Sequence, residues 1–425
     1  MRWMGVRTSL RWAGTLCCGY PPRPRREPPR VLCHSRLPAL REALTPCLVR
    51  TRSTRNCSKA RVWAGALLAL LLLCGAAPVP LGADDWLQAE APREWSFPRD
   101  HGAHPEYATE WWYFTGNLAD TAGAAYGYQL TLFRVGVRRE APEGNAWAVR
   151  DLYLGHLAIS DGDGGRFLYA DRVSRTGPGL AGASTAGLHV WLLDWSAHME
   201  GDEIRVMART GQLALDLTLQ PDKPVVLHGD RGLSRKGPRP GQASYYASFP
   251  SLATRGTLRT GADSPPVPVN GVSWFDQEFG SNQLAEDQAG WDWFSLHLGG
   301  GRELMLYVLR RTDGSVGPAS SGTLILRDGS AVHLLLEQFS VEVLDTWDSP
   351  HSGARYPSRW RVRVPEYGID KELEPLLADQ ELVTDGTTGV VYWEGAVREP
   401  GARDSSACRG YVELTGYAGE LGGVF

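Results

Sequence analysis

From about residue 84 onward, apolar and polar positions alternate in short segments bounded by Gly, Asp, Asn or Pro. Alternation with a period of two sends successive side chains to opposite faces of a strand, and helical periodicity is scarce here. The pattern predicts strands at Glu110–Leu118, Tyr126–Val135, Asp151–Ser160, His189–Trp195, Gln212–Leu219 and Trp291–Leu298. Five more fall at Glu303–Arg310, Gly322–Leu326, Val332–Leu336, Trp360–Val364 and Val390–Val397. The runs Asp161–Gly165 and Gly299–Gly301 suit hairpin turns. Only Lys371–Gln380 reads as a short helix.

Two segments share W-x-[YW]-F-[ST]-x-x-L at identical spacing: Trp111–Leu118 and Trp291–Leu298. Each is followed by a strand ending Leu-x-Leu-aromatic, at Leu130–Phe133 and at Leu304–Tyr307. A repeat at a fixed offset marks a duplicated β unit. The expected fold is all-β, two tandem lipocalin-like antiparallel barrels, each of roughly 150 to 180 residues, because closure removes exposed sheet edges. The prolines of Asp263–Pro268 are unsuited to a ladder interior, so the boundary is expected there, between barrels at 84–262 and 269–425.

The N-terminal 61 residues are a different material, with 13 Arg and one Lys against Glu27 and Glu42. They read as a basic, unstructured leader, or as sequence before the true start of translation. Val62–Ala83 is uncharged and begins with a 16-residue apolar run, which is the layout of a signal peptide. A spanning helix needs about 20 apolar residues. The chain is therefore expected to be exported, to a periplasmic or envelope location. Membrane association would come through an uncleaved signal or a lipidated Cys74.

Six of the seven cysteines precede or lie in this signal, so Cys408 has no partner for an internal disulfide after cleavage, and a thiolate cluster for a metal is excluded. Residues 62–425 carry 46 acidic and 30 basic side chains, which argues against nucleic acid as a partner. No Gly-x-Ser-x-Gly elbow occurs, and Gly162–Gly165 lacks the Lys-Ser/Thr ending of a phosphate loop.

The runs Phe97–Glu106 and Glu110–Leu118 resemble the AttH/CrtC family, secreted proteins described as predicted hydrolases and related to carotenoid 1,2-hydratases. So do Gly155–Ala158, Trp274–Ser281, Gly290–Phe294, Arg302–Tyr307, Tyr392–Val397 and Gly410–Tyr417, in family order. The resemblance implies paired lipocalin-like barrels and secretion. It also implies, for the hydratase branch, a proton-donating aspartate with an aromatic residue two positions earlier, which fall here on Asp276 and Trp274. Where that branch carries His-x-Trp, this chain has Ser244-Tyr245-Tyr246. Some relatives are encoded beside ABC transporters, so an ABC permease is an expected partner on the alternative reading of a lipid-binding accessory.

The candidate chemistry lies in Trp274, Asp276 and Glu278, which share one strand face. Two carboxylates about 7 Å apart beside an indole in low dielectric would raise each other's pKa. A neutral carboxylic acid next to an aromatic wall can protonate an alkene, and ring faces stabilise the cation before water adds. Candidate ligand-binding residues are Trp291, Trp293, His297, Tyr246, Trp112 and His156, around an isoprenoid, polyene or lipid. No cofactor is implied. His101, His104 and Glu110 suggest either a metal set or a hydrogen-bonded plug at a barrel end. The bland alternatives are a solvated carboxylate face and tryptophans that fill barrel cores.

Overall fold

The computed structural model describes residues 86–140, 145, 147–282, 284–402 and 407–419. The leader at 1–61 and the signal segment at 62–83 lie outside the described residues. What is described is almost entirely antiparallel β structure in two curled sheets of 13 and 10 strands.

In the larger sheet, β1 (Thr109–Asp120), β2 (Ala125–Gly136), β3 (Asp151–Asp161) and β4 (Arg166–Arg175) form one meander. A second comprises β5 (Ala181–Ala183), β6 (His189–Leu192), β7 (Trp195–Glu200), β8 (Glu203–Arg209) and β9 (Leu213–Pro221). The short β10 (Val226–Leu227) and β11 (Leu233–Arg235) lie against the long β12 (Ala243–Thr260). β13 (Val267–Gly280) joins the two meanders, pairing β1 on one side and β12 on the other. The far edges, β4 and β5, approach each other, so this sheet is a nearly closed barrel.

The smaller sheet runs β14 (Gln288–His297), β15 (Glu303–Arg311), β16 (Ser321–Ile325) and β17 (Ala331–Leu335). It continues through β18 (Ser340–Asp348), β19 (Arg355–Val364) and β20 (Ile369–Pro375). The short β21 (Glu381–Val383), then β22 (Val391–Arg398) and β23 (Arg409–Leu414), complete a half-barrel. The tandem lipocalin-like expectation is met.

Alternation is the cause of this arrangement. On β1, Trp112, Phe114 and Leu118 enter the barrel core, as do Leu213, Leu215, Leu217 and Leu219 on β9. The second core gathers around Phe294, Leu304, Trp360 and Val412. The repeat also holds in space. β1 pairs β2 and the last strand of its sheet, β13, while β14 pairs β15 and the last strand of its own, β23.

Three expectations need correction. The boundary expected at Asp263–Pro268 is the hairpin turn between β12 and β13, with Val267 and Pro268 already in β13 of the larger sheet; a proline-rich turn and a linker share one composition. Lys371–Gln380 is not helical, because Leu373 is buried while Glu372 pairs with Arg359 outside, so alternate burial overrides helix propensity. His189–Trp195 is broken between β6 and β7, where Leu193 adopts φ 58°.

Candidate active site between the sheets

Residues on β1 that point away from the barrel core meet residues of the smaller sheet. A third apolar cluster fills this seam, with Tyr113, Tyr246, Trp274, Trp293, Met305 and Tyr307 among its members. A cleft opens within it, enclosing about 1060 Å³ of empty space, its solvent mouth included. Trp111, Tyr113, Phe133, Trp291, Trp293 and Tyr246 form much of its wall, and Asp276, Glu278 and Glu413 face into it. The face of β13 that carries Asp276 therefore lines the space between the sheets. It does not line a barrel lumen, since Phe275 on its other face belongs to the packed core of the larger barrel.

Asp276 is 2 % exposed. Its Oδ1 accepts from Trp274 Nε1 at 2.5 Å and from the Ser248 hydroxyl, and its Oδ2 accepts from Tyr246 Oη at 2.5 Å. Burial pushes its pKa up to about 7, against the lowering effect of the Ser248, Tyr246 and Trp274 donors; the charge of Glu278 adds a smaller push upward. Charged and neutral forms are then both available near neutrality. Trp293 Nε1 donates to Tyr246 Oη at 3.0 Å, so Tyr246 is held from both sides.

Glu278 accepts from the Ser244 hydroxyl and lies 3.1 Å from the Lys236 ammonium. Lys236 also stands 4.0 Å from the centre of the Tyr307 ring. Burial would discharge this lysine, yet its pKa is raised, because the pulls of Glu278, Tyr307 and Asp276 together outweigh the desolvation. With its charge balanced in this way, Glu278 is a weak partner for Asp276, and burial does most of the work on the aspartate.

An imidazole reaches the site from outside the family motif. His228 follows β10; its Nε2 lies 2.7 Å from Ser248 Oγ and its Nδ1 2.8 Å from Thr323 Oγ1 on β16. The Ser248 proton is committed to Asp276, so Nε2–H donates to Ser248 and Nδ1 accepts from Thr323. Burial, with Lys236 nearby, holds His228 down at about 3, so it is neutral. An imidazole from another segment thus stands behind Ser248, and the smaller sheet helps to orient it.

The opposite wall holds a second set. Tyr113 Oη donates to Glu394 Oε1 at 2.5 Å, and Tyr392 Oη lies 2.7 Å from His156 Nδ1. Thr387 Oγ1, 3.0 Å from His156 Nε2, donates to Asp171 Oδ2 at 2.9 Å. Burial, then the neighbouring Glu413, holds the Glu394 carboxyl well above its usual range.

Of the candidates from sequence, Asp276, Glu278, Tyr246, Trp291, Trp293 and His156 line this one cleft. Three others do not. Trp274 is 1 % exposed and sits behind Asp276 as a hydrogen-bond donor, not as a wall for a cation. His297 packs edge to face against Trp274, a further layer back, with ring centres 6.2 Å apart. Trp112 is inside the larger barrel, its Nε1 donating to His101 O at 3.1 Å. Even-numbered positions of β1 face that core, and only odd-numbered ones reach the cleft.

Glu110 takes His104 Nδ1 at 2.8 Å, Gln277 Nε2 at 3.1 Å and Arg134 Nε at 3.5 Å. Arg134 continues to Asp151 at 3.1 Å. The carboxylate is thus occupied by protein donors in a plug at the barrel end.

The model of the AttH-like family matches residues 88–417. The chain belongs to the AttH-like family. No curated protein is similar enough to match it. The crystal structure of an AttH protein from Nitrosomonas europaea is similar at TM-score 0.68 and 36% identity, covering 77% of this chain and 99% of that one. That of kievitone hydratase from Nectria haematococca is similar in fold at TM-score 0.55 and 16% identity, covering 79% of this chain and 97% of that one. In this AttH-like chain the residues missed by sequence reasoning are His228, Lys236, Glu394 and Glu413. His228 and Lys236 come from irregular segments with no motif, and Glu413 lies outside the repeat visible in sequence; only strand register, Tyr113 opposite Asp276 and Trp293 opposite Glu413, brings it level with Asp276.

Proposed function

We propose that this AttH-like protein binds an apolar, unsaturated ligand in the cleft between its sheets and adds water across one of its double bonds, with Asp276 as the proton donor. The observation that carries this reading is a buried carboxyl poised near neutrality, held by Ser248, Tyr246 and Trp274, beside an aromatic wall. A carboxylic acid that is neutral at working pH can protonate an alkene carbon, and the faces of Trp293, Tyr113 and Trp291 attract the cation that results. The hydratase named among the similar folds supports the reaction class. Export is part of the same proposal, supported by the uncharged run Val62–Ala77 behind Lys59 and Arg61.

Kievitone and lycopene serve as probes, one a phenolic and one a polyene. Wild type is expected to yield a product heavier by one water from at least one of them. Asp276→Asn is expected to lower kcat by about 100-fold or more while binding the probe within about threefold. The second reading, a ligand carrier without turnover, predicts tryptophan quenching by the probe, no mass gain, and indifference to Asp276→Asn. That combination would sink the hydration reading.

A further inference from the structure

The two walls of the cleft follow one local rule. On β1, Tyr113 stands directly opposite Asp276 of β13. On β14, Trp293 stands directly opposite Glu413 of β23. Tyr113 and Trp293 are the same position of the W-x-[YW]-F repeat, and their rings meet at 68° with centres 5.2 Å apart. Asp276 and Glu413 are therefore equivalent residues of the duplication, carried by the last strand of each sheet and facing one cavity. Each also receives an indole N–H: Trp274 Nε1 on Asp276, and Trp291 Nε1 on Glu413 Oε2 at 2.8 Å. They differ in one respect. Both oxygens of Asp276 are engaged, whereas among the described residues no donor is seen on Glu413 Oε1.

We propose that Glu413 is the general base of the site, taking the proton of the water that Asp276-driven protonation calls for. The inference rests on the hydration reading. Neutral Asp276 gives its proton to one alkene carbon, whose π pair becomes the new C–H bond. The oxygen of water then bonds to the cationic carbon, and its proton passes to the Glu413 carboxylate. The product is the alcohol, and the enzyme is left with ionised Asp276 and neutral Glu413. Return of that proton through the open mouth restores the starting state, and the reverse sequence is dehydration.

The groups around Glu413 fit a proton that is easily gained and lost. Burial pushes it up to about 7, the Trp291 donor opposes this, and the charges of Asp276 and Glu278 on β13 add to it. On β22 its directly paired neighbour is Glu394, whose carboxyl burial and the charge of Glu413 hold well above its usual range, against the Tyr113 and Tyr392 hydroxyls. Tyr411 lies two positions away on its own strand, and its hydroxyl is held protonated by burial. Among the described residues the lysine lining the cleft is Lys236, which is paired with Glu278.

The test uses the full chain labelled with ¹³C at Asp and Glu side-chain carboxyls, as wild type, Glu413→Gln, Glu413→Asp and Asp276→Asn. In wild type, one Glu resonance, absent from Glu413→Gln, is expected to titrate near neutrality. It should move down by roughly half a pH unit or more in Asp276→Asn, because a neighbouring negative charge is gone. With whichever of kievitone and lycopene is hydrated, Glu413→Gln is expected to lower kcat by about 100-fold and to remove the acid limb of the pH profile. Glu413→Asp should restore part of the rate and that limb. Full activity with an unchanged profile in Glu413→Gln, alongside a dead Asp276→Asn, overturns the assignment of Glu413 and leaves hydration standing. A Glu413 resonance in the ordinary carboxylate range, indifferent to Asp276→Asn, overturns it as well. A wild type that hydrates neither probe overturns the hydration reading and this role together.

Discussion

Burial against three hydrogen-bond donors is the contest at Asp276, and its outcome makes stability depend on pH in a definite direction. The folded-state pKa lies near 7, above the ordinary aspartate value, so between about pH 4 and pH 7 the folded chain keeps a proton that the unfolded chain has released. The contribution of Asp276 is most favourable below that window and is lost as pH rises through 7. Asp276→Asn keeps the shape without the charge. Calorimetry from pH 4 to pH 8 is therefore expected to show the Tm of wild type falling relative to that of the Asn variant. A constant offset at every pH would mean that Asp276 titrates as an ordinary exposed carboxylate. His228 obeys the opposite sign, since its depressed pKa makes its contribution complete above about 6.5 and lost as pH falls toward 3.

At the scale of elements, β13 bears the acid and stitches the larger sheet, and one glycine sets how closely it can lie to β1. A Cβ on Gly271 would fall 2.1 Å from Asn117 O, a backbone atom that cannot move aside without opening the ladder. Gly271→Ala is expected to cost about 2 kcal/mol, read as a lower urea midpoint at unchanged m. A change of a few tenths would show that the pairing has slack. The strand itself was visible in the alternation of Trp274, Asp276 and Glu278 with Phe275, Gln277 and Phe279. Its sheet was not, because a period of two fixes which residues share a face and says nothing of what the face meets. Both faces carry aromatic rings, so core and seam looked alike until Phe275 was seen in the barrel core and Trp274 in the seam between the sheets. The helix expected over Lys371–Gln380 failed for a related reason, since pairing of Lys371–Leu373 with β19 outweighs local composition.

Across the whole molecule, the cleft exists only while the two sheets hold their distance, and a few polar contacts across the seam do the holding. Lys223, after β9, reaches into the smaller sheet, where its ammonium meets Glu303 Oε2 at 2.5 Å, Gly301 O at 2.7 Å and Leu326 O at 2.8 Å. Asn117 Nδ2 donates to Gly410 O at 2.9 Å, and Ser160 Oγ to Gln380 Oε1 at 2.5 Å. None of these was readable from sequence, as each joins residues 78 or more positions apart with no shared pattern. Glu303 is 3 % exposed, so removing its cation strands a charge and two carbonyls in the seam. Lys223→Met is expected to cost about 3–5 kcal/mol, more than a surface ion pair ever yields. The loss should be recovered in part by Glu303→Gln in the same chain, because the stranded charge is then gone. A gentler wedge tests geometry apart from charge. A Cβ on Gly127 of β2 would meet Ala396 Cβ of β22 at 2.5 Å, pushing the sheets apart next to the cleft. Gly127→Val should weaken probe binding by about tenfold while the far-UV spectrum stays that of the wild type, since each barrel core is untouched. Unchanged affinity would mean that ligand is held by one sheet alone, and the shared cleft would lose its standing as the site.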